Sequence, residues 1–555
     1  MIRSLSISAL LITIMTLYAG TPVKANGTYT NPIIDMDYSD PDICRRGADY
    51  YLTASSFNCV PGLPVLHSRD LVHWRIAGHA LSQLEPNDKF DLAQHGKGVF
   101  APSIRVHNDS LYIYYSDPDQ GIFMVKAKDP EGPWEKPVMV KEGRGYIDPC
   151  PLWDDDGQAY IVFALAGSRV RQSGVLLMNR LSADGTRVTD GAGRVIYDGH
   201  GENAVIEGPK LYKHGGYYWI FAPAGGVGNG YQLAMRSKDI WGPYEWRIVL
   251  SSGPKTINGP HQGGWVTTPD GHEDWFVHFQ HKKPVGRVIH LQPMKWRNDG
   301  WPVMGDDSDG DGRGLPVREW KLPSVDGGTS EKYSLLISDE FNGRELGPQW
   351  QWHANPKPWW YYAAGEKGLL RLFATVQGYE GNLWQCPNLM LQKFPGEAFT
   401  MEAKMTFTPS SLGIGERAGF IVMGNSYATF AFEHPDSTGV VVRLSECRDA
   451  GSKISAEQTI ASISLPEGQG IVGYGKNDSP KPTTVWVRME MKNSRCTFSY
   501  SWDGAHYKDI NHKFLAQEGK WIGAKMGFFC NRPSKAKGGG WLDVDYIRVN
   551  TNVKR

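Results

Sequence analysis

The sequence predicts an all-β protein made of a five-bladed β-propeller followed by a β-sandwich. Three observations carry this prediction. Gly and Pro are abundant, at 64 and 35 of 555 residues, and 12% of the residues are aromatic, which indicates many turns between strands with large flat side chains. A pattern of strands and turns recurs about every 50 residues in the first half of the chain. In the second half the repeat stops and alternating strands replace it.

The repeat runs from residue 27 to about residue 315 and defines five units. Each unit opens with a small or acidic residue near a proline, passes through a short strand and a polar turn, and continues into a strand rich in aromatic residues. Several short strands in a unit of this length are typical of propeller blades. The units open at Asp40-Pro41, Ala101-Pro102, Asp148-Pro149, Glu207-Gly208-Pro209 and, in a degenerate form, His261.

The second domain follows a Pro-containing linker, residues 316–334. From 335 to 550, apolar and polar residues alternate along segments such as FTMEAKMTF and TVWVRMEMK. Alternation with a period of two predicts strands that bury one face, so we expect a β-sandwich here. The aromatic cluster of PKPWWYYA with Trp352 and Trp384 is interpreted as sandwich core, with sugar binding as the alternative.

Residues 1–25 are expected to be a signal peptide. Arg3 precedes an apolar run over residues 5–19, and Val23-Lys24-Ala25 resembles a cleavage site. The run is interrupted by Ser and Thr and is shorter than the ~20 residues of a membrane-spanning helix. We therefore expect export, with the periplasm favoured over the medium, and no membrane insertion after cleavage.

Charge and cysteine content exclude several classes of protein. Lys plus Arg and Asp plus Glu both number 59, so we expect no nucleic-acid partner, because such proteins need a basic footprint. The seven cysteines have no CxxC or Cys/His metal spacing, which argues against a disulfide framework or zinc module and leaves one or two bridges open.

One acidic turn raises the question of calcium. Asp307-Ser308-Asp309-Gly310-Asp311-Gly312 copies the first half of an EF-hand loop, but Arg318 stands where the bidentate Glu is needed. We assign no metal ligands and no required cofactor. Structural calcium at this turn is kept as an alternative to an acidic surface turn.

Three of the five units place an acid at their opening, namely Asp40, Asp148 and Glu207. Because the first strands of propeller blades converge on one end of the channel, we expect these carboxyl groups to lie together. Hydrolysis of a glycosidic bond uses one protonated and one ionised carboxyl group, and a third carboxylate nearby can raise the pKa of the acid. The alternative is that these acids serve only as turn residues.

The opening NPIIDMDYSDPDICRRGADYYLTASSF, followed by GLPVLHSRDLVHWRIAGHAL, resembles glycoside hydrolase family 43. Residues 335–550 are similar to the β-sandwich of the family's β-xylosidase-like branch. The resemblance implies a five-bladed propeller acting by inversion on β-xylosides or α-L-arabinofuranosides. It also implies a sandwich of jelly-roll or concanavalin-like type, which in this branch can lend a loop that closes one side of the pocket.

The resemblance further implies roles for the three acids. Asp40 in SDPD matches the general base, and Glu207 in VIEGPKLY matches the general acid. Asp148 in YIDPCP matches the residue that raises the pKa of the acid and orients it.

Four more residues match positions that the family uses around the sugar. Arg287 in VGRVIHLQ matches the arginine beside the base, and His261 in GPHQGGW matches the channel histidine, which in some members faces a calcium or water cluster. Phe57 and Phe100 match aromatic wall positions, although Phe100 stands where the family usually has Trp. A structural role for His261 and core packing for the aromatics are the alternatives.

The function expected from the sequence is an inverting exo-glycosidase whose partner is an oligosaccharide. We expect it to release terminal α-L-arabinofuranose from hemicellulose fragments of xyloglucan, arabinoxylan or arabinan. The alternatives are an exo-β-1,4-xylosidase and an enzyme with both activities, because the two sugars present similar hydroxyl groups. Two further classes are disfavoured. A non-catalytic sugar-binding propeller would be expected to lack at least one of the three carboxylates, and all three are present. A protein-interaction scaffold gives no reason for acids at equivalent positions of the repeat.

Overall fold

The structure, a computed structural model, describes residues 22–24, 26–253, 256–257, 259–325, 333–376, 382–437, 439–470 and 481–551. Most of the expected signal peptide, residues 1–21 and 25, lies outside these ranges. Nearly every regular element that the structure describes is a strand, which confirms the all-β fold class. No helix in the described ranges has the length and apolar character needed to cross a membrane.

Five antiparallel sheets of four strands follow one another along the chain, which confirms the five-bladed propeller. In each sheet the strands are neighbours in chain order. After β1 (Thr28–Thr30), the blades contain β2–β5 (Asp42–Arg46, Asp49–Thr53, Gly62–Ser68, Arg75–Leu81), β6–β9 (Phe100–His107, Ser110–Asp117, Gly121–Ala127, Val138–Glu142), β10–β13 (Tyr146–Trp153, Ala159–Leu165, Val175–Leu181, Arg194–Asp198), β14–β17 (Lys210–His214, Tyr217–Ala224, Tyr231–Ser237, Glu245–Leu250) and β18–β21 (His261–Thr267, Asp274–Lys282, Gly286–Trp296, Pro302–Met304). Three one-turn helices occupy connections: α1 (Asn87–Phe90), α2 (Gly167–Val170) and α3 (Gly226–Asn229).

The aromatic-rich second strands explain how the blades pack. Tyr114 of β7 and Phe163 of β11 are fully buried in one apolar cluster between the second and third blades. Similar clusters lie between each other pair of neighbouring blades, and the fifth blade packs on the first. Because blades stack face to face, their first strands lie side by side, and the starts of those strands form one mouth.

The C-terminal domain consists of two packed antiparallel sheets, which confirms the β-sandwich. Its strands are β23 (Gln351–Trp352), β24 (Tyr361–Ala363), β25 (Leu370–Phe373), β26 (Thr375–Val376), β27 (Met390–Lys393), β28 (Ala398–Thr408), β29 (Arg417–Met423), β30 (Tyr427–Asp436), β31 (Gly439–Cys447), β32 (Gln458–Ile463), β33 (Thr483–Lys492), β34 (Arg495–Ser501), β35 (Lys508–Leu515), β36 (Lys525–Arg532) and β37 (Trp541–Asn550), with 3₁₀ turns at Gly365–Lys367 and Leu383–Gln385. They are preceded by β22 (Glu319–Lys321), which pairs antiparallel with β1 outside the sandwich.

One sheet of the sandwich has the order β24-β25-β37-β28-β33-β34-β35, and the other has the order β23-β27-β36-β29-β30-β31-β32, with β26 paired parallel to β36. In β28, the alternate residues from Phe399 to Phe407 are buried, as the period-two pattern predicts.

The sandwich is joined to the propeller at the first blade. Val60 forms a β-bridge with Trp352, and the buried Asn355 side chain bonds both backbone groups of Leu84. Trp352 and Trp384 are buried, and Trp384 stacks on His95 of the propeller at 3.5 Å between ring centroids. These two tryptophans therefore serve packing, whereas Trp359 and Tyr362 of the same aromatic cluster are exposed, so the core interpretation is wrong for those two. All seven cysteines lie in the described ranges and are buried free thiols.

Candidate active site

Asp40 lies at the mouth of the channel, immediately before the first blade begins. Its backbone has φ of 54°, a left-handed conformation that is uncommon for a residue with a side chain. Its Oδ1 accepts a hydrogen bond from Arg287 Nη1 at 2.7 Å, and its Oδ2 accepts one from Ser55 Oγ at 2.7 Å. The guanidinium stabilises negative charge on this buried carboxylate, and the two donors fix its orientation.

Asp148 and Glu207 are held next to each other by the backbone. Asp148 lies at a bulge in β10, where the register against β11 shifts, and its φ is 58°. Its buried Oδ2 accepts a hydrogen bond from the Gly208 N–H at 2.7 Å, and Gly208 directly follows Glu207. Glu207 is more open, with 29% of its side chain exposed, and its Oε1 lies 2.8 Å from His261 Nε2.

The surroundings push the pKa values of these two acids apart. Burial raises the pKa of Asp148 to about 8, and the negative charges of Glu207 and Asp40 add to that rise. Burial opposes ionisation of Glu207 as well, but the hydrogen bond and charge of His261 outweigh it and lower the pKa of Glu207.

Two neighbouring carboxyl groups that interact titrate as a pair, and burial together with their mutual repulsion favours the state in which the pair holds one proton. His261 can donate to ionised Glu207 or accept from protonated Glu207, according to its tautomer. The site thus combines a carboxyl pair that holds a proton with a carboxylate, Asp40, that is paired with arginine. Acid–base hydrolysis of a glycoside uses this combination.

Arg287 and His261 are both brought to the site. The guanidinium of Arg287 lies over the ring of Phe279 at 4.9 Å, and its backbone N–H donates to Asp37 at 2.8 Å. His261 begins β18 and is almost fully buried, with its ring edge-on to Phe279. Phe279 therefore supports the arginine and the histidine together.

The two predicted wall aromatics contact each other. Phe57 and Phe100 meet edge-on with ring centroids 5.1 Å apart. Phe57 is only 2% exposed, whereas Phe100 is half-buried and has the guanidinium of Arg169 at 5.8 Å. Phe100 is therefore the one of the pair that offers surface, and Phe57 packs against it.

A loop of the sandwich, residues 516–524, reaches this mouth from far along the chain. Its Trp521 is 50% exposed and lies 5.8 Å from the Arg287 guanidinium. The loop is fastened where the Gly523 N–H donates to Asp37 at 3.0 Å and where Glu518 pairs with His281. Asp37 thus holds both the loop and the backbone of Arg287.

Sequence reasoning missed three residues that the fold places here: Ser55, Lys210 and Trp521. Lys210 is fully buried, its Nζ donates to the Pro102 carbonyl at 3.3 Å, and its charge partly opposes the rise in the pKa of Asp148. Lys210 directly follows the Glu-Gly-Pro motif and stands at the start of a strand expected to be buried. Because lysine is rarely buried without a partner, this position could have indicated a lysine close to the carboxyl groups. For Trp521 the sequence carries no such signal.

The acidic turn after the last blade brings three carboxylates together. Ligand atoms of Asp307, Asp309 and Asp311 lie within 4.8 Å of one another. Asp307 is already engaged, because it accepts hydrogen bonds from Arg297 at 3.0 Å and from the Gly312 N–H at 2.8 Å. Calcium at this turn stays the alternative to an acidic surface turn.

Comparison with known proteins agrees with this geometry. Residues 29–302 match glycosyl hydrolases family 43, and residues 338–550 match the β-xylosidase C-terminal concanavalin A-like domain. The chain is 35% identical over 507 residues to a putative β-xylosidase of Xylanibacter ruminicola, covering 91% of this chain and 86% of that protein. It is 33% identical over 432 residues to a non-reducing-end α-L-arabinofuranosidase of Bacteroides ovatus, covering 74% and 77%.

Among solved structures, a family 43 protein of Bacillus licheniformis superposes with a TM-score of 0.77 at 25% identity, covering 94% of this chain and 99% of that one. The match extends through both domains, so the sandwich is part of the shared architecture. The chain therefore belongs to glycoside hydrolase family 43.

Proposed function

We propose that this glycosidase is an exo-acting β-xylosidase that releases terminal xylose from xylo-oligosaccharides with inversion. The observation that carries the proposal is the relative of Xylanibacter ruminicola, described as a putative β-xylosidase, which the chain matches over 91% of its length. A β-xylosidase of Formosa agariphila is also similar, at 29% identity over 94% of this chain. This reverses the order expected from the sequence alone, where arabinofuranosidase came first.

The proposed chemistry assigns one task to each acid. Ionised Asp40, held by Arg287 and Ser55, removes a proton from the water that attacks the sugar. Glu207, in the state of the coupled pair that places the shared proton on it, delivers that proton to the leaving oxygen. Asp148 keeps that proton available, because its buried carboxyl group opposes a second negative charge in the pair.

The sandwich loop supports attack at a chain end. Trp521 stands beside Arg287 and narrows one side of the mouth, so a long chain running across the channel meets the loop. Phe100 lies at the mouth with Arg169 over its ring, and we assign it to the wall that contacts the sugar. Arg287 is assigned to binding a sugar hydroxyl group as well as to holding Asp40.

Release of α-L-arabinofuranose is the second candidate. The chain is 33% identical to the arabinofuranosidase of Bacteroides ovatus, and that similarity spans 74% of this chain. The carboxylate arrangement serves either sugar, because both reactions pass through the same acid–base steps.

The test compares 4-nitrophenyl β-D-xylopyranoside with 4-nitrophenyl α-L-arabinofuranoside at equal enzyme concentration. We expect a higher kcat/KM on the xyloside, and a loss of about a hundredfold to ten-thousandfold in Asp40→Asn and Glu207→Gln. The exposed acid Asp155 provides the matched control, Asp155→Asn, which should keep wild-type turnover. Proton NMR should show α-xylose as the first product.

Three outcomes would contradict parts of this proposal. A higher kcat/KM on the arabinofuranoside transfers the assignment to the second candidate. Wild-type turnover in both active-site variants removes the roles given to Asp40 and Glu207. β-Xylose as the first-formed product excludes inversion.

A further inference from the structure

A groove crosses the outer face of the seven-stranded sheet in the sandwich and contains none of the residues used above. Its volume is about 1190 Å³, and it runs over strands β37, β28, β33, β34 and β35. Neighbouring strands lie about 4.8 Å apart, so five strands span about 19 Å. The volume exceeds the ~300–1,000 Å³ of most small-molecule pockets. The dimensions therefore suit an extended ligand.

The floor of the groove presents hydrogen-bonding groups that the protein leaves unused. Strand alternation turns Thr400, Glu490, Thr497 and Ser499 to the outer face, and Glu490 lies opposite Thr497 in the sheet. Within the described ranges, none of these four side chains has a hydrogen-bond partner. Hydroxyl and carboxylate groups in fixed rows can bind the hydroxyl groups of a sugar chain.

Two arginines line the groove and are held flat on tyrosine rings. The Arg488 guanidinium lies 3.4 Å from the ring centroid of Tyr507, and Arg548 lies 3.8 Å from that of Tyr546. Arg488 Nε donates to Glu402 at 2.7 Å, and both tyrosine hydroxyls donate to the same carboxylate at 2.8 Å.

Arg548 donates Nε and one terminal nitrogen to Glu340, whereas the anchoring of Arg488 leaves donors for a ligand. Among the described residues Arg488 donates only through Nε, so its terminal N–H groups remain available there, and half of its side chain is exposed. A planar guanidinium fixed in advance presents paired donors at little entropic cost. Neighbouring hydroxyl groups on one sugar ring match such a pair.

The charges of the groove cancel. Arg488, Arg548 and Lys513 are balanced by three carboxylates, Glu402, Glu490 and Asp509. A polyanion such as nucleic acid needs a surplus of positive charge, which this face lacks. Dense polar groups without net charge favour a neutral, hydroxyl-rich ligand.

We propose that this groove is a second saccharide-binding site, which holds a neutral β-1,4-xylan chain while the propeller acts on chain ends. The choice of xylan rests on the proposed function, whereas the neutral polysaccharide class rests on the groove itself. Binding here would keep the enzyme on its polymer between hydrolytic events.

The test measures retention of the full chain on insoluble xylan in the Asp40→Asn background, so that the polymer is not consumed. Replacing Arg488 by Ala removes the paired donors, and Thr497→Arg fills the groove from an exposed strand position. We expect each to weaken retention by about tenfold or more. Arg371→Ala should retain xylan normally, because Arg371 lies over the Trp541 ring and pairs with Asp543 in the same sheet but outside the groove.

A parallel assay on 4-nitrophenyl β-D-xylopyranoside, with Asp40 intact, should show unchanged turnover in both groove variants. Wild-type retention in both variants overturns the proposal. The proposal is also overturned if the wild-type chain sediments as a dimer and the Thr497→Arg variant sediments as a monomer. In that case a second copy of the chain occupies the groove. If xyloside turnover is absent but retention on xylan still depends on Arg488, the proposed function is wrong and the proposed binding site in the groove is supported.

Discussion

At the residue scale, the site depends on three carboxyl groups kept in three different surroundings. Asp40 lies between a guanidinium and a hydroxyl group, Asp148 is buried on a backbone N–H, and Glu207 contacts a histidine. Similar carboxyl groups in unlike surroundings differ in pKa, and the pKa values of Asp148 and Glu207 are shifted in opposite directions.

Replacing Asp148 by Asn should move the alkaline limb of the kcat/KM profile to lower pH. The pair loses the buried acid whose pKa lies near 8, and His261 and Arg287 then hold the pKa of Glu207 low without an opposing charge. We expect a shift of about one pH unit or more, measured on an aryl glycoside. An unchanged limb would show that Asp148 does not govern the proton, and Asp155→Asn serves as the control.

The same pKa shift predicts how stability depends on pH. The folded chain still holds the Asp148 proton at pH values where the unfolded chain has released it near 3.8, so unfolding becomes easier as pH rises towards 8. Asp148→Asn should remove that part of the decline in denaturant titrations at a series of pH values.

At the scale of elements, the loop between β35 and β36 connects the sandwich to the chemistry of the propeller. Its fastening points, Asp37 and His281, flank the strand that carries Arg287, so the loop and the arginine are positioned by shared contacts. Trp521 has φ of 69°, a strained conformation that persists because the loop is held at both sides.

Replacing Trp521 by Ala should weaken substrate binding more than the chemical step. The indole supplies contact area beside Arg287, and none of the proposed proton transfers uses it. We expect KM for xylobiose to rise about fivefold with kcat nearly unchanged. Trp359→Ala, which removes another exposed tryptophan of the sandwich, should have no effect on either constant. A fall in kcat alone would instead make the loop a positioning device for the acids.

At the scale of the whole molecule, the two domains fold as interdependent parts. The edge strand β23 bridges to the first blade, and the buried Lys525 ammonium donates to Gln351 and lies 3.0 Å from Cys59 of the propeller. Buried polar contacts of this kind are costly to break, so the junction should open only with global unfolding.

Asn355→Ala tests this coupling. The side chain satisfies the buried N–H and C=O of Leu84 at 2.8 and 2.9 Å, and the substitution leaves both unpaired. We expect a loss of about 2–4 kcal/mol in the free energy of unfolding, measured by denaturant titration. One cooperative transition should remain. Two separate transitions would show that the domains unfold independently, and the exposed Asn511→Ala is the control.

Much of this architecture was readable from local patterns. The recurrence of an acid, a proline and an aromatic-rich strand predicted five blades, because each blade is a self-contained meander of neighbouring strands. The same register placed Asp40, Asp148 and Glu207 at one mouth. Strict alternation in segments such as β28 predicted the sandwich, since one face of each strand must be buried.

The sequence by itself thus determined the two domains, the blade number and the three carboxyl residues that meet at one mouth. Only the tertiary structure decided that Trp521 lies beside Arg287, that His261 contacts Glu207, and that a groove whose charges cancel crosses the sandwich. The physical reason is the separation along the chain of the residues that make contact. Repeats and alternation follow from contacts between neighbouring strands, so they leave a local pattern in the sequence. The other features bring together side chains from distant segments or separate strands, and no local sequence pattern predicts those contacts.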